Sequence, residues 1–489
     1  MLDFIDETLR DGPQSLWATR MSTEDMLGAA EWIDRSGFAK VCVTSGAAFE
    51  TAVKFLRDDP WERLRLLRTY MPSVTIDVLM RSRNLFGWER YPDEVIELLF
   101  RCLRNTGTEW IKVFDGLNDI RNIEANFRIA RRLGMKTSAM LAFSLSPIHT
   151  DEHFVQKARE VLAIGVDSIS MCDASGLLTG PRTRTLLAAL KAEIAGRVPL
   201  EFLAHHSMGL AHEAYREAML AGVSAVTTAC GPLANGESLP STLDILAIAD
   251  ELGLETSLNV EAIRRTEDYF HWIACRDRHP VQPPVQYDPL LYNSFAGHQI
   301  PGGMISNFRK QLREIGMIHR EDEVLEEASR VRIELGCPIM VTPFSQFVGV
   351  QATFNVIQGE RYKTVPKELF QYVRGHYGQS PGPIDPNVMD KVLNGNAAPE
   401  VDHAAMFETR VLERFGREHG PFRSDEDLLI ALFYGKEQLN SLLQEKRRFT
   451  ERPSVEKPLQ ALVRQLAADA NLKSVKFEAR GVRCALYHA

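Results

Sequence analysis

Eight short apolar or β-branched runs, evenly spread through the first half of the chain, constrain its fold more than any other feature. They are LDFIDETL (2–9), AKVCVTSG (39–46), TIDVLMR (75–81), WIKVFDG (110–116), KTSAMLAFS (136–144), SISMCDAS (168–175), PLEFLAHH (199–206) and SAVTTACG (224–231). Between them lie stretches with apolar residues at helical spacing and a glycine stop, such as TEDMLGAAEWIDRSG (23–37), EVIELLFRCLRNTG (94–107), EANFRIARRLG (124–134) and EAYREAMLAG (213–222). Successive runs start about 30 residues apart, the length of one strand–helix unit. Such units in unbroken succession predict an α/β fold, a (β/α)8 TIM barrel with helices ringing a closed parallel sheet. A doubly wound open sheet is the alternative, and the lack of a G-x-G-x-x-G turn counts against it.

With 489 residues the chain exceeds one ordinary domain. The expected division is a barrel over 1–275, a mostly helical extension over 276–400 and a C-terminal region over 401–489. A net charge of −8 leaves no broad basic face for a phosphate backbone, so nucleic acid is not an expected partner. Lys446-Arg447-Arg448 reads as a solvated helix end. The opening MLDFIDETLRD has no basic-then-apolar pattern, and no uncharged stretch reaches the ~18 residues of a membrane helix. A cytoplasmic protein without a membrane partner is expected. The seven cysteines are scattered, odd in number and without C-x-x-C pairs, which reads as small buried hydrophobes rather than disulfides or a zinc knuckle.

Barrel active sites lie at the C-terminal ends of the strands. There the chain places Arg10-Asp11, Arg81, Asp115 to Asp119, Cys172-Asp173, His205-His206 and, after the last strand, Glu237-Ser238. Charges gathered on one rim are costly unless they pair with one another or bind something. Adjacent His205 and His206 would point to opposite faces of a strand, so both face inward only if the strand has ended or bulges there.

DETLRDGPQSLWATR resembles the D-x-T-L-R-D-x-x-Q-S-L-x-A-T-R opening of the biotin-dependent carboxyltransferases: pyruvate carboxylase, oxaloacetate decarboxylase and transcarboxylase. The resemblance continues through GAAFETAVKFLRDDPWERLRLLR, MRSRNLFGWERYPDEV, VFDGLNDIRN, SPIHT, HQIPGGMISNFRKQL and VTPFSQFVGVQATFNVIQGERYK, covering residues 3 to 400. It implies a metal-dependent barrel. A divalent metal (zinc first, manganese or magnesium otherwise) polarises a 2-oxo acid of pyruvate or oxaloacetate type and stabilises its enolate. By the same resemblance Asp11 matches a metal ligand, Arg10, Gln14 and Arg81 match the groups that grip the 2-oxo acid, and Trp88 stands where an aromatic lines the pocket.

The chain departs from that pattern at three places. Cys172 replaces the carbamylated, metal-ligating lysine. The paired histidines of H-x-H become Leu203-Ala204-His205, so the first ligand is lost and His205 keeps the second; His206, where the family has aspartate, is left to a supporting or surface role. Glu237 stands in place of the threonine of T-S-Q-P that relays a proton with biotin.

Three readings are open. In the first, Asp11, Cys172 and His205 form a rebuilt zinc site, Glu237 is a general acid/base beside Arg10, and the enzyme is a decarboxylase, aldolase or lyase on a 2-oxo acid. In the second, the chain is a carboxyltransferase whose biotin sits on a separate carrier, since no A-M-K-M motif occurs. In the third, it is an inactive paralogue acting as a scaffold. The resemblance implies that the extension forms a funnel over the barrel mouth and a homodimer contact. HPVQPPVQYDP (279–289) reads as an extended connector and PGGM (301–304) as a turn. Beyond Pro399 the resemblance fades; EDLLIALFYGKEQLNSLLQEKRR reads as a helix pair and KSVKFEARGVRCALYHA as a terminal strand or hairpin, a possible docking module.

Overall fold

The structure is a computed structural model that describes residues 1–300, 309, 312–314, 316–394, 410–445, 466, 474–479 and 482–487. PGGM and Lys446-Arg447-Arg448 lie outside the described residues.

All eight apolar runs form strands: β1 (Asp3–Asp6), β2 (Lys40–Ser45), β3 (Thr75–Arg81), β4 (Trp110–Phe114), β5 (Lys136–Ala142), β6 (Ser168–Asp173), β7 (Leu200–Ala204) and β8 (Ala225–Thr228). Each pairs in parallel with the next, and β8 returns to β1 in register from Asp3↔Ala225 to Asp6↔Thr228. The sheet is therefore a closed barrel without an edge, which excludes the doubly wound alternative. Residues along β2 and β6 are buried without alternation because helices cover the outer face and side chains fill the inner one.

Helix starts follow local chemistry. Ser22 caps Thr23–Asp34 in a reciprocal capping box with Asp25, and Thr150 and Thr179 cap Asp151–Ile164 and Gly180–Ile194. Asp93–Asn105 presents Val95, Ile96, Leu99 and Leu103 to the barrel, and its turn closes at Gly107, whose φ of 90° suits glycine.

After the helix Val260–Asp277 the connector runs extended along the rim. Trp17, after β1, donates its indole N–H to the Pro280 carbonyl at 3.1 Å and stacks on His279. Gln282 lies against Gly236 of the β8 loop, and residues 285–287 lie against Gly209 of the β7 loop. Tyr292 then donates to Leu177 O after β6, and the Gln299 side chain bonds Ser144 and Leu145 after β5. The segment 279–299 thus circles half the mouth, passing from β1 to β8 and then back in reverse strand order to β5. The helices between 321 and 393 form a second hydrophobic core and meet the barrel at the β4 loop, where Phe344 packs on Gly116 and Asp119 accepts from Gln379 N.

Three C-terminal helices, Val411–His419, Asp425–Tyr434 and Lys436–Glu445, return to the barrel flank. They share the barrel's hydrophobic core; Phe433 packs edge-on against Tyr91, and Tyr434 donates to Phe86 O at 2.8 Å. The terminal alternating segment forms an antiparallel hairpin of β9 (Ser474–Ala479) and β10 (Val482–Tyr487). No helix among the described residues is long and apolar enough to cross a membrane.

Candidate active site at the barrel mouth

Asp11 opens the short helix Asp11–Leu16 just beyond β1, and its carboxylate is buried. Oδ1 accepts from Arg10 Nη1 at 3.2 Å and Ser15 Oγ at 3.3 Å, and His205 Nε2 stands 3.3 Å from the same oxygen. Oδ2 accepts from Ser238 Oγ at 2.7 Å. Burial alone would raise the Asp11 pKa, but the charges of His205 and Arg10 and the bonds from His205 and Ser238 outweigh it, holding the carboxyl well below the usual range. Burial opposes a charged His205, yet the Asp11 carboxylate outweighs that as well and raises the imidazole above its ordinary value. Asp11 and His205 each favour the other's charged form.

Below them the barrel interior is charged. Arg10 is gripped by Glu7, and Lys112 lies 3.1 Å from Glu7 and 3.4 Å from Asp77, all three of Lys112, Glu7 and Asp77 being fully buried. Burial disfavours the Lys112 ammonium, but Asp77 and its neighbours more than compensate and raise its pKa. Lys112, Glu7, Arg10 and Asp11 therefore alternate in sign from the middle of the barrel toward its mouth, where His205 meets Asp11. This network is invisible in the sequence because its members come from β1, β3, β4 and the end of β7.

On the β1–β3 arc, Gln14 Oε1 accepts from Ser45 Oγ at 2.8 Å, which fixes the amide beside the end of β2. Arg81, at the end of β3, donates to Gly87 O at 3.1 Å and lies with its guanidinium 4.6 Å from the centre of the Trp88 ring. No carboxylate among the described residues forms an ion pair with it. Trp88 is 49% exposed, and its indole N–H is shared by both Glu50 carboxylate oxygens at 3.1 Å; Glu50 in turn pairs with Lys54. Glu50 carries no signal of this role in the sequence, since its i,i+4 spacing to Lys54 is also that of an ordinary solvated helix pair. Arg10, Gln14, Arg81 and Trp88 thus share one arc.

The far side of the mouth is different. The strand register sets Cys172 of β6 opposite Leu203 of β7, and both belong to an apolar cluster with Cys42, Leu79, Met140, Ala229, Ala234 and Leu239. Burial first, then the Asp173 charge, pushes the Cys172 thiol up to about 12, far from a thiolate. The three-donor set expected from the sequence, Asp11 with Cys172 and His205, does not come together: no group of three His, Cys, Asp or Glu side chains that could hold a metal ion occurs among the described residues. Asp173 is used locally, accepting from Leu178 N and Ser175 N.

β7 ends at Ala204, so both histidines leave the strand, and the second is not a surface residue. His206 is buried, packs on His212 with ring centres 4.7 Å apart and is pushed down to about 4, chiefly by burial. Glu237 is exposed at the rim, where its charge reaches His205, while its neighbour Ser238 is buried and makes the bond to Asp11. The sequence points to Glu237 in this loop, whereas the group that reaches Asp11 is the serine beside it.

The chain as a whole is similar to proteins of known activity. Residues 296–477 match the model of a conserved carboxylase domain, so the likeness runs well past Pro399, where the sequence resemblance had faded. A pyruvate carboxylase subunit of Methanocaldococcus jannaschii is 36% identical over 442 residues, 89% of this chain and 76% of that protein. The methylmalonyl-CoA carboxyltransferase 5S subunit of Propionibacterium freudenreichii is 35% identical over 381 residues, 78% of this chain and 74% of that protein. The carboxyl transferase domain of Rhizobium etli pyruvate carboxylase, solved with pyruvate, superposes with a TM-score of 0.81 at 25% identity, covering 91% of this chain and 76% of that one.

Proposed function

Since the chain belongs to the carboxyltransferase family of pyruvate carboxylase and its relatives, we propose that it moves a carboxyl group between a 2-oxo acid and biotin borne by a separate carrier subunit. The 2-oxo acid is of pyruvate or oxaloacetate type. In one direction C3 of the pyruvate-type acid loses a proton and its enolate takes the carboxyl group from N-carboxybiotin, leaving biotin; the reverse decarboxylates the oxaloacetate-type acid.

The observation that carries this reading is Arg81, a half-buried guanidinium at a strand end of the mouth with an aromatic platform and no carboxylate ion-paired to it among the described residues. Such a group suits an incoming carboxylate, which it can hold bidentately. Gln14, fixed by Ser45, supplies an amide on the same arc. Arg10, held by Glu7 and Asp11, is the candidate source of positive charge toward the oxygen that gains charge in the enolate. Glu237, exposed at the rim, is the candidate acid/base. Trp88 walls the arc and leaves it open to a carrier.

Family membership implies a divalent metal, and the sequence favours zinc through the carboxylate, thiolate and imidazole of Asp11, Cys172 and His205. The residues present do not fit that group: Asp11 and His205 meet, but Cys172 packs into an apolar cluster opposite Leu203 and no third donor joins them among the described residues. The naming of the relatives as subunits supports a separate carrier, and the family resemblance supports a homodimer, which sedimentation will test.

The decisive assay follows oxaloacetate decarboxylation with and without a biotinylated carrier domain. Turnover that requires the carrier and stops with avidin supports the proposal. Avidin-insensitive turnover would instead indicate a biotin-independent lyase, and no turnover under either condition an inactive scaffold.

A further inference from the structure

We infer that the barrel mouth of this chain takes no divalent metal, because the donors beyond Asp11 and His205 have become an apolar pair and Asp11 itself is closed by hydrogen-bond donors.

The Asp11–His205 separation of 3.3 Å decides nothing alone, since about 3.3 Å also separates two donors on one tetrahedral zinc. Their neighbours decide it. The Asp11 carboxylate has two oxygens to offer a cation. Oδ2 holds the Ser238 hydroxyl at 2.7 Å, and Oδ1 holds Ser15 and the Arg10 guanidinium at 3.3 and 3.2 Å. A metal on Oδ1 would lie against a permanently charged guanidinium, which Glu7 locks in place from the other side. A metal on Oδ2 would have to displace a buried hydroxyl that also bonds Leu233 O.

The remaining donors would have to come from β6 and β7, whose side chains face the same space. There the register places Cys172 beside Leu203, backed by Met140, Leu79 and Leu239. Catalytic zinc generally takes three protein ligands, and sites for harder cations need several oxygens. Neither set can be assembled here from the described residues.

The test measures metal rather than turnover, so its outcome is independent of whether the carboxyltransferase reading holds. The full-length protein is produced in medium supplemented with zinc and manganese, gel-filtered, and its metal content determined by mass spectrometry. The expected content is below about 0.1 ion per chain, with a melting temperature unmoved by added zinc. Leu203→His places an imidazole at the end of β7, two residues before His205, and so supplies the missing third donor; with three donors zinc can displace the Ser238 hydroxyl from Asp11, and this variant is expected to hold close to one zinc per chain and to melt higher when zinc is present. Adding Asp11→Asn to it should abolish both. Wild-type protein carrying about one metal per chain that Asp11→Asn or His205→Gln releases would overturn the inference. Metal that persists in both of those variants lies elsewhere and supports a metal-free mouth. If Leu203→His fails to fold, the wild-type content and the two release variants decide alone.

Discussion

Replacing Lys112 with methionine tests the charged barrel interior most directly. The ammonium is fully buried between Glu7 at 3.1 Å and Asp77 at 3.4 Å. Glu7 would retain Arg10, but Asp77 has no hydrogen-bond partner for either oxygen and no other ion pair among the described residues. Lys112→Met therefore strands one buried carboxylate, and breaking a buried pair in this way costs about 3–5 kcal/mol. At roughly 2–4 °C per kcal/mol for a unit of this size, the barrel should melt about 10 °C lower by calorimetry. The companion Asp77→Asn, placed in the Lys112→Met background, removes the stranded charge and should recover more than half of the loss, because the penalty resides in the unpaired carboxylate rather than in missing packing. A functional signature should accompany it. With one of its two cations gone, Glu7 holds Arg10 differently, so KM for the 2-oxo acid should rise even where the protein is folded. A melting temperature within about 2 °C of wild type, or losses from the two substitutions that simply add, would refute the network as described.

Arg81→Lys keeps the charge but loses the bidentate fork and the flat contact with Trp88, so KM for the 2-oxo acid should rise about 10- to 100-fold with unchanged melting. Glu50→Gln weakens the charge-assisted bonds to the Trp88 indole, and a shifted Trp88 fluorescence, read against a Trp88→Phe control, should accompany a poorer KM for the biotinylated carrier. Asp6 gives a pH signature. Burial pushes its carboxyl up to about 7 from 3.8, so between those values the folded chain keeps a proton that the unfolded chain has released. Stability then falls as pH rises across that window, by up to about 1.4 kcal/mol per unit. Asp6→Asn removes the slope, and its melting advantage over wild type should widen from pH 4 to 7 and stay level above 8.

The barrel was legible because each strand is a local apolar run and each helix a local amphipathic pattern with its own cap and stop. What pairs across the barrel was not. Lys40 meets Glu201, and Lys112 meets Glu7 and Asp77, yet in sequence each is one charge inside an apolar run and carries no sign of its partner. The adjacent histidines misled for a related reason. Strand alternation predicts opposite faces, but β7 ends at Ala204, so the loop carries His205 to Asp11 and buries His206 against His212. Cys172 looked like a donor because its position is one; only its neighbours, Leu203 and Met140, show it to be part of an apolar wall.

The groups that resemble the family's grip do not all bear on function equally. Arg10 lies between Glu7 and Asp11 in an almost fully buried network. Removing it would take one cation from each of two buried carboxylates, leaving Glu7 to Lys112 and Asp11 to His205 and Ser238, so the network alone gives Arg10 a structural role and its presence says little about catalysis. Arg81 is under no such constraint. Its partners are a carbonyl and an indole face, neither of which needs a cation, and burial depresses its pKa by more than the Tyr434 and Glu50 charges restore. A cation partly withdrawn from water costs free energy in the ligand-free protein that a bound carboxylate returns. The case for a working 2-oxo-acid site therefore rests on Arg81 more than on the buried DETLRD segment, even though that segment carries the clearest family resemblance.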